Sequence, residues 1–456
     1  MPCLTNSIRH VNPTLQQFVA HVENATTLTQ IIATTWRLAC IVAIQVIEEV
    51  IVERAQGKTE WPTCLRCGER LHSKGFIPRQ ITTLMGVICF KRRVGRCKNR
   101  CRIGQIAPLD DALGLAPHQR TGVAFKQVAC LLAIFVPFET VCALLSRLLA
   151  ASVSPAAVWH WVQRTGEQAI HHLNRELFAL ADGQPPAVEW LDEATQALPL
   201  LIGADGVMVP FRPKHGTPKG RTIWREIKVA VLARLLQYPN APERCPRQPL
   251  VQRRLVAVLG NIDALRPRLW LEALRQGILN AEHVVFLSDG GRGFWRLFFD
   301  CFAGHAMGIL DFYHAAQNLW KGAKSWLDGR TQRAREWFVT ARRRLRDGSV
   351  DDVLADITAA LALEGLDAEA RRPLENLLGY LQTHRHHIDY ARFKALGLPI
   401  GSGMVESACK WLIQQRFKGV GMRWSESGFN SLLHLRLAWV NGRFDELFTF
   451  WPSPNS

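Results

Sequence analysis

The stretch Leu398-Pro-Ile-Gly-Ser-Gly-Met-Val-Glu-Ser-Ala-Cys-Lys-Trp-Leu412 leads from a Pro/Gly turn into a helix. Ser402 is a residue type that favours the start of a helix, so we expect the helix to begin near it. Its apolar face is predicted to consist of Met404, Val405, Ala408, Trp411 and Leu412. Glu406 lies on the adjacent stripe among small and apolar residues, where a carboxylate is costly unless it binds something.

Glu406 has two interpretations at this level. A capping box is excluded, because the third residue after Ser402 is Val405 and not an acid. Glu406 could pair with Lys410 one turn later, a contact worth about 0.2–0.5 kcal/mol. Alternatively, it is a metal-binding carboxylate that a helix presents ahead of a cationic loop. The cations of that loop, which could hold a phosphate backbone, are Arg416, Lys418 and Arg423.

The composition indicates a folded protein with a polyanionic partner. The chain has 456 residues, of which 48% are hydrophobic and 21% charged, so it can bury a full core over about three domains. Lysine and arginine number 56 against 39 acids, which gives a net charge of +17. An excess of this size favours nucleic acid as the partner, although a merely basic soluble protein is the alternative.

The N-terminal region, residues 1–57, is predicted to form two amphipathic helices, the second being Leu28–Arg54. They are interpreted as packing elements or a dimer surface. No secretory signal pattern is visible, and the apolar segments Ile31–Val52 and Val128–Ala151 carry charges or helical polar spacing. We therefore expect buried helices, no membrane contact and a cytoplasmic location in a bacterium, with the twelve cysteines present as thiols or metal ligands.

Residues 58–105 are predicted to form a zinc-ribbon-like module. Two β-rich runs, Arg79–Leu84 and Val87–Val94, separate two cysteine pairs, and each pair could supply two thiolates to a tetrahedral structural Zn²⁺. The predicted ligands are Cys64, Cys67, Cys97 and Cys101. Unliganded buried thiols are the alternative, and Cys89 in the second strand is a poor candidate. Seven cations around the second pair, Arg92 among them, would either dock on DNA or form a solvated face.

Residues 106–181 are predicted to contain a helix-turn-helix-like DNA-binding region. Phe138–Leu149 is the first helix, and Ser154 with Pro155 is a well-founded start for a second helix through Glu167. The second helix offers Gln163 and Arg164 for contact with DNA. Many helical hairpins bind no DNA, so a purely structural hairpin is the alternative.

After a Pro/Gly linker at 182–186 the pattern changes to alternating strands and helices. The predicted order from residue 198 to 314 is β-β-β-α-β-α-β, which is that of the α/β ribonuclease H-like fold. The predicted elements are strands Leu198–Ala204 with Val207–Phe211, Trp224–Leu235 and Leu255–Leu259, helix Asp263–Gly277, strand Glu282–Leu287, helix Gly293–Cys301 and strand Ala306–Leu310. Residues 315–393 are an all-helical basic insertion, and 394–445 carry the Glu406 helix and the end of the core.

Three acids are candidates for catalysis. Asp205 and Asp289 each lie at or near a predicted strand end before a glycine, and the fold would bring them into one cleft with Glu406. Three carboxylates in one cleft repel one another unless divalent cations neutralise them. Two Mg²⁺ or Mn²⁺ ions there would support in-line phosphoryl displacement, that is, DNA cleavage or strand transfer. An isolated Asp-Gly after a strand is more often only a turn.

Several motifs carry a family resemblance. They are Gly203-Ala-Asp-Gly206, Trp224-Arg-Glu-Ile-Lys-Val229, Leu287-Ser-Asp-Gly290, Asp311-Phe-Tyr-His314, and the run from Gly401-Ser-Gly-Met-Val-Glu-Ser407 to Arg423-Trp-Ser425. From the cysteine pairs to about residue 440 the chain resembles the DDE transposases of bacterial insertion sequences. It is most similar to their Kra-four group, with kinship to the Mutator-like group.

The resemblance implies a transposase that binds transposon ends and target DNA, with Asp205, Asp289 and Glu406 as the metal-binding triad. It implies that Asp311 and His314 position DNA or stabilise the active site, although His314 could equally be an ordinary junction histidine. It also implies DNA contact by the insertion, where Arg342, Arg343 and Arg344 lie, and a DNA-binding or positioning role for Trp424. By analogy we expect a homodimer on DNA. We expect no small-molecule substrate. The alternatives are a ribonuclease H-like nuclease or resolvase that does not join, and an inert DNA-binding regulator.

Overall fold

The computed structural model describes residues 13–103, 106–149, 151–213, 222–236 and 249–448, with side chains from residue 16 onward. The first twelve residues of the predicted N-terminal region, parts of the predicted core within 214–248 and the polar tail after 448 lie outside the described residues. The chain divides into two compact units, Met1–Arg164 with Asp445–Ser456, and Thr165–Phe444. The boundary lies inside a long helix, Pro155–Ala181, and not at the linker 182–186.

The first unit is helical around one β-hairpin. Its described elements are α1 (Pro13–Glu23), α2 (Leu28–Gln56), β1 (His72–Thr82), β2 (Val87–Arg96), α3 (Pro108–Ala112), α4 (Val123–Phe135), α5 (Phe138–Leu148) and the start of α6 (Pro155–Ala181). Strands β1 and β2 are antiparallel and extend further toward the cysteine pairs than predicted. The Ser154 hydroxyl accepts the N–H of Ala157 at 3.2 Å, which confirms the predicted start of α6. That helix is 27 residues long, far longer than a recognition helix ending at Glu167.

Helix α2 is not the buried helix that the sequence predicted. It begins with a capping box between Thr27 and Gln30, and Ile51 packs against the hairpin. However, its most apolar 18-residue window is only 11% buried, and Ile32 and Trp36 are 61% and 57% exposed. Within the described ranges it is the single helix long and apolar enough to cross a membrane, which by itself is weak evidence for a span. Its hairpin face is also held by a polar contact, because the Glu48 carboxylate accepts the N–H of Cys89 at 2.5 Å.

The second predicted apolar segment is buried as expected. Helices α4 and α5 place Phe125, Cys130, Ile134 and Leu145 in the interior. These side chains are 0–1% exposed, so the segment is an ordinary core hairpin of two helices.

Two arginines of the hairpin are buried around Asp110. The Arg92 Nε atom lies 3.2 Å from both Asp110 oxygens, and Arg79 pairs with the same carboxylate. Their remaining N–H groups donate to backbone carbonyls such as those of Ile77 and Ala116. A buried charge requires such full pairing. Arg92, which the sequence grouped with cations that could meet DNA, is therefore a structural residue.

The second unit is built on a five-stranded sheet whose strands are β3 (Leu200–Phe211), β4 (Ile223–Leu235), β5 (Leu250–Leu259), β6 (Val284–Ser288) and β7 (Met307–Leu310). Their order in the sheet is β5-β4-β3-β6-β7. Strands β3, β4 and β5 are antiparallel neighbours, whereas β3, β6 and β7 run parallel. Its elements up to the last strand are α7 (Glu193–Gln196), β3 (Leu200–Phe211), β4 (Ile223–Leu235), β5 (Leu250–Leu259), α8 (Ile262–Arg275), β6 (Val284–Ser288), α9 (Arg292–Leu297, continued as a π-helix to Phe302) and β7 (Met307–Leu310). The predicted order of strands and helices is confirmed.

The rest of the second unit is helical, as predicted for the insertion. Its helices are α10 (Phe312–Trp326), α11 (Gln332–Arg346), α12 (Val350–Leu361), α13 (Ala368–Thr383), α14 (Tyr390–Ala395), α15 (Gly403–Ala408, continued through a π-helix to Gln414 and on to Phe417) and α16 (Glu426–Val440). Buried residues of the sheet, such as Phe286, and of the helical block, such as Leu319 and Leu377, belong to one hydrophobic cluster. The block is therefore packed onto the sheet and not appended to it.

Candidate active site

Three aspartates lie at one level on three neighbouring parallel strands, directly after the last residues that these strands pair with one another. The strand register pairs Ala204 with Ser288, and Ser288 with Leu310. The residues that follow are Asp205, Asp289 and Asp311. Adjacent residues in register on parallel strands lie side by side, so the three side chains emerge at the same edge of the sheet.

Asp205 differs from its predicted position at a strand end. It lies in the interior of β3, because that strand continues to Phe211 in antiparallel pairing with β4. Only the parallel pairing with β6 stops, at Ala204. At Asp205, β3 is therefore still paired with β4 but no longer with β6.

Glu406 reaches the same region through a close helix–strand contact. Gly203, two residues before Asp205 and on the same face of β3, has no side chain where α15 packs. A Cβ atom there would lie 2.4 Å from Val405 Cγ2 and 2.6 Å from Met404 Cε. The glycine therefore allows α15, which carries Glu406, to lie directly on the strand that carries Asp205.

The three acids affect one another electrostatically. Burial raises the pKa of Asp205 above its usual value, against the effect of the Gly206 N–H, which donates to Oδ1 at 2.7 Å. The charges of Asp289 and Glu406 raise this pKa further. The pKa of the nearby Cys409 thiol is raised to about 12 by burial and by Asp205 and Glu406. Carboxylates that repel in this way form a donor set that suits a divalent cation such as Mg²⁺.

Glu406 keeps both of its interpretations in the structure. Its side chain is 50% exposed and lies 3.7 Å from Lys410 Nζ, so the i,i+4 pair exists. An exposed pair of this length is weak. The carboxylate can therefore leave Lys410 at little cost. Ser402 precedes α15 as expected, but its side chain makes no cap; its backbone N–H donates to Asp311 instead.

Asp311 is a buried organiser of the edge. It caps α10 by accepting the N–H of His314 at 2.7 Å, and its other oxygen accepts the N–H of Ser402. Burial raises its pKa, but the hydrogen bonds involving His314 and Ser402 outweigh burial and leave the pKa below the usual value. Asp311 thus joins the end of β7 to the start of the Glu406 helix.

His314 lies over the acidic edge. Its Nδ1 atom is 3.2 Å from Asp311 Oδ1, an ion-pair distance without the alignment of a hydrogen bond. Contact with Asp311, and further the charges of Asp289 and Asp205, raise the pKa of His314 against the effect of burial. The histidine therefore contacts Asp311 and is close enough to Asp289 and Asp205 for their charges to favour its protonated form.

Sequence reasoning missed Tyr380, which the helical block contributes to the wall of the site. A Cβ atom on Gly290, next to Asp289, would lie 2.1 Å from Tyr380 Cε2. The Tyr380 hydroxyl is buried and has no hydrogen-bond partner among the residues that the structure describes. Burial and the charges of Asp289 and Asp311 raise its pKa, against the effect of the nearby Asn318 side chain. No local motif marks Tyr380, since α13 enters the site only through packing.

Arg416, Lys418 and Arg423 were predicted to hold a phosphate backbone, and for Arg416 this prediction is wrong for this structure. Arg416 is only 3% exposed and lies 5.4 Å from the Trp424 ring centre. Trp424 is itself half-buried and donates its Nε1–H to the Phe417 carbonyl at 3.0 Å. These two residues hold the loop in shape. Lys418 and Arg423 are exposed as expected.

The other predicted DNA-contact residues divide in the same way. Arg342, Arg343 and Arg164 are exposed. Arg344 is engaged by Asp356 at 2.7 Å, and Gln163 is only 8% exposed, so the expectation that Gln163 reads DNA is contradicted. A buried glutamine on a helix cannot be told from an exposed one until the neighbouring elements are known.

In the first unit, the four predicted zinc ligands come together. The Sγ atoms of Cys64, Cys67, Cys97 and Cys101 all lie within 4.8 Å of one another. This spacing suits a tetrahedral Zn²⁺ with bonds of about 2.3 Å. Cys89 lies in β2 outside this cluster, as predicted.

The thiols of the cluster differ in pKa. The pKa of Cys67 is lowered to about 7 by the backbone at Glu69 and by Cys97, whereas that of Cys101 is raised to about 12, chiefly by Cys67. The four cysteines can bind a metal ion such as zinc.

Comparison with known proteins gives a limited set of similarities. No protein-family model matches the chain. A protein described as "UPF0236 protein in vanSb 3'region", from Streptococcus gallolyticus, is 25% identical over 372 residues, which are 80% of this chain and 74% of that protein. Among solved structures, the "Drosophila P element transposase strand transfer complex" matches with a TM-score of 0.32 and 11% identity, over 71% of this chain and 93% of that one.

Proposed function

We propose that the protein is a metal-dependent DNA transposase of a bacterial insertion sequence, related to the Kra-four group, with a ribonuclease H-like catalytic core. The observation that carries the proposal is the common level of Asp205 and Asp289, which follow the paired residues Ala204 and Ser288 of two parallel strands, with the Glu406 helix packed on Gly203. Together they supply the acids of a DDE site from three separate parts of the chain.

The chain's own groups prepare this site for phosphoryl transfer. Asp205 and Asp289 are oriented by the backbone N–H groups of Gly206 and Gly291, at 2.7 and 3.0 Å. Glu406 is held on a helix but half exposed, so it can turn from Lys410 toward the other acids. Held by these carboxylates, divalent ions such as Mg²⁺ or Mn²⁺ would supply the positive charge that stabilises the attacking and leaving oxygens of an in-line displacement.

The DNA is held by the basic surface of the second unit, according to this proposal. The exposed cations Lys418, Arg423, Arg342 and Arg343 are suited to phosphate contacts, and the net charge of +17 supports a polyanionic ligand. The Cys₄ cluster would keep the first unit folded through a structural Zn²⁺. Such a protein acts in the bacterial cytoplasm, on the nucleoid.

The test is cleavage and joining of labelled DNA that carries the element's own ends, with Mg²⁺ or Mn²⁺. Wild type should cut and join, and Glu406→Gln, Asp205→Asn and Asp289→Asn should each lose about 1000-fold or more in rate while still binding DNA. Glu426→Gln is the control, because Glu426 is an exposed acid whose ion pair among the described residues is with Arg225 and not with a group of the site. Cutting without joining would favour a nuclease or resolvase, and binding without any reaction an inert regulator.

Dimerisation is part of the same proposal. The apolar residues Ile32, Trp36, Ala39, Ala43, Val46 and Val50 of α2 follow the alternating four- and three-residue spacing of a coiled-coil seam. We infer that a second copy of the chain covers this face. Trp36→Glu with Val46→Glu should give a monomer in sedimentation experiments, whereas Val188→Glu, at another exposed apolar residue, should not. A wild-type monomer on DNA would contradict the inferred dimer.

A further inference from the structure

The β1–β2 hairpin of the first unit has a face that the proposed reaction does not use. On its inner face, Ile81, Ile88 and Phe90 are at most 7% exposed and pack with residues of α2. Because side chains alternate along a strand, the residues between them point outward. They form three cross-strand pairs, Phe76 with Arg93, Pro78 with Lys91, and Gln80 with Cys89. We call these six residues the outer face. Five of them are exposed and Arg93 is half-buried, so the described part of the chain leaves this face largely uncovered.

The charges of the hairpin favour a polyanion. Neither strand contains an aspartate or a glutamate. In residues 58–105 as a whole, twelve lysines and arginines outnumber two glutamates. Asp110, which comes from α3, is buried against Arg79 and Arg92 on the inner face. The strands therefore supply no acid to neutralise Lys91 and Arg93, and the ligand that complements the outer face is an anion such as DNA.

Two side chains of the outer face are suited to base recognition. The guanidinium carbon of Arg93 lies 5.1 Å from the centre of the Phe76 ring on the neighbouring strand. This stacking holds the flat face of the guanidinium and leaves its N–H edge able to donate. Gln80, which is exposed on β1, offers both a donor and an acceptor. Arginine and glutamine are the residues that form paired hydrogen bonds with the major-groove edges of guanine and adenine.

The dimensions of the hairpin fit a DNA groove. Its two strands lie about 4.8 Å apart, and the major groove of B-DNA, about 12 Å wide, admits a two-stranded ribbon. From Phe76 to Gln80 the outer face extends over four residues, which is roughly 13 Å at about 3.3 Å per residue. At about 3.4 Å per base pair, this length covers about four base pairs.

We propose that the outer face of the hairpin enters the major groove of the transposon end and reads its sequence, with Gln80 and Arg93 binding base edges and Lys91 a phosphate. The inference rests on the proposed function for its ligand, and it adds which element of the chain selects the DNA. The hairpin takes the place of the helix predicted for this task, since Gln163 on that helix is only 8% exposed.

The experiment measures the affinity of the full-length protein for two labelled duplexes without Mg²⁺ or Mn²⁺. One duplex carries the element's own end, and the other has the same length and base composition in scrambled order. We expect wild type to prefer the end. The double variant Gln80→Ala with Arg93→Ala should lose about 100-fold in affinity for the end and much less for the scrambled duplex, because each paired contact to a base is specific.

The matched control is Gln56→Ala with Arg54→Ala, which removes the same two types of side chain from the exposed end of α2. It should keep the preference for the end. Zinc content and thermal unfolding should match wild type in both double variants, since none of the four side chains is buried. Equal folding with unequal preference separates base recognition from a structural effect.

A change in the DNA identifies the groove. Purine analogues with carbon in place of N7 remove a major-groove acceptor and leave the minor groove unaltered. An end that carries them should bind wild type and the control variant about 10-fold more weakly, but should bind the hairpin variant no more weakly than the unmodified end. An unchanged preference in the hairpin variant, its loss in Arg164→Ala alone, or a wild type without any preference overturns the inference. A wild type whose preference depends on the hairpin but that cannot cut DNA defeats the catalytic proposal alone.

Discussion

At the scale of single residues, the site depends on atoms that fix the direction of each carboxylate. Asp205 accepts the N–H of Gly206 and Asp289 that of Gly291, whereas the two oxygens of Asp311 accept the N–H groups of His314 and Ser402. The sequence identified all of these acids as candidates, but it could not show which of them are buried and hydrogen-bonded in the folded protein. Burial distinguishes them. Asp311 is 2% exposed and is hydrogen-bonded through both oxygens, whereas the Glu406 side chain is half exposed.

His314 provides a prediction about pH. Its pKa should lie above the ordinary value of about 6.5, since Asp311, Asp289 and Asp205 favour the charged ring. Its stabilising contribution is therefore complete below about pH 6.5 and is lost as the pH rises through the folded-state pKa. Imidazole titration by NMR in metal-free protein measures this pKa, and Asp311→Asn should lower it.

Two further observations check the assignment. Adding Mg²⁺ should lower the pKa of His314, because the ion neutralises Asp205 and Asp289. His387, whose pKa is lowered by burial, is the internal control and should not respond to Asp311→Asn. A His314 pKa below 6.5 in the metal-free protein would refute the electrostatic description of the edge.

At the scale of elements, the docking of α15 on β3 is the contact that assembles the site. Gly203→Ala places a methyl group against Val405 and Met404, so it should destabilise the fold by about 1–3 kcal/mol and reduce DNA cleavage. Val405→Ala removes the nearer methyl, and the double variant should recover part of both losses. Thermal unfolding and cleavage rates measure the cycle.

Gly379→Ala is the matched control for this substitution. Gly379 is on α13 with open space around it, so alanine there should be neutral or slightly stabilising. If Gly203→Ala were as stable and as active as Gly379→Ala, the close contact between β3 and α15 would contribute nothing measurable to the free energy of unfolding or to cleavage.

The cysteine cluster gives a second prediction at this scale. Purified wild type should contain one Zn²⁺ per chain, and Cys64→Ser should lose it and unfold the first unit more easily, since structural zinc contributes directly to folding. Metal analysis and thermal unfolding report both effects. Cys89→Ser, which removes a thiol outside the cluster, should retain the metal. A Cys64→Ser protein with unchanged zinc content would remove Cys64 from the ligand set.

For the whole molecule, the excess of positive charge should make DNA binding steeply dependent on salt. Each phosphate contact adds about 0.9 to the slope of log affinity against log salt concentration. Replacing the exposed Arg343 by alanine should therefore lower that slope by about 0.9. Arg344→Ala should change it less, because Asp356 already holds that guanidinium. A flat salt dependence in wild type would contradict the interpretation of the +17 charge.

The sequence by itself determined the order of the elements, which four cysteines lie close together and which three acids are candidates for catalysis. These follow from local signals: period-two strands, Asp-Gly and Gly-Ser-Gly turns, and paired cysteines at short spacing. Such signals depend on neighbours a few residues away, and the strand order β-β-β-α-β-α-β is present in the structure as predicted.

Only the tertiary structure decided which predicted cations are exposed, which face of α2 is uncovered and how Glu406 reaches Asp205. Arg416 and Gln163 are residue types that usually lie on the surface, but in the folded chain they are only 3% and 8% exposed. Asp205 and Glu406 are some 200 residues apart, and the helix that carries Glu406 packs on the strand that carries Asp205 because Gly203 has no side chain. Burial and proximity are properties of the assembled core, since they depend on contacts that no local pattern encodes.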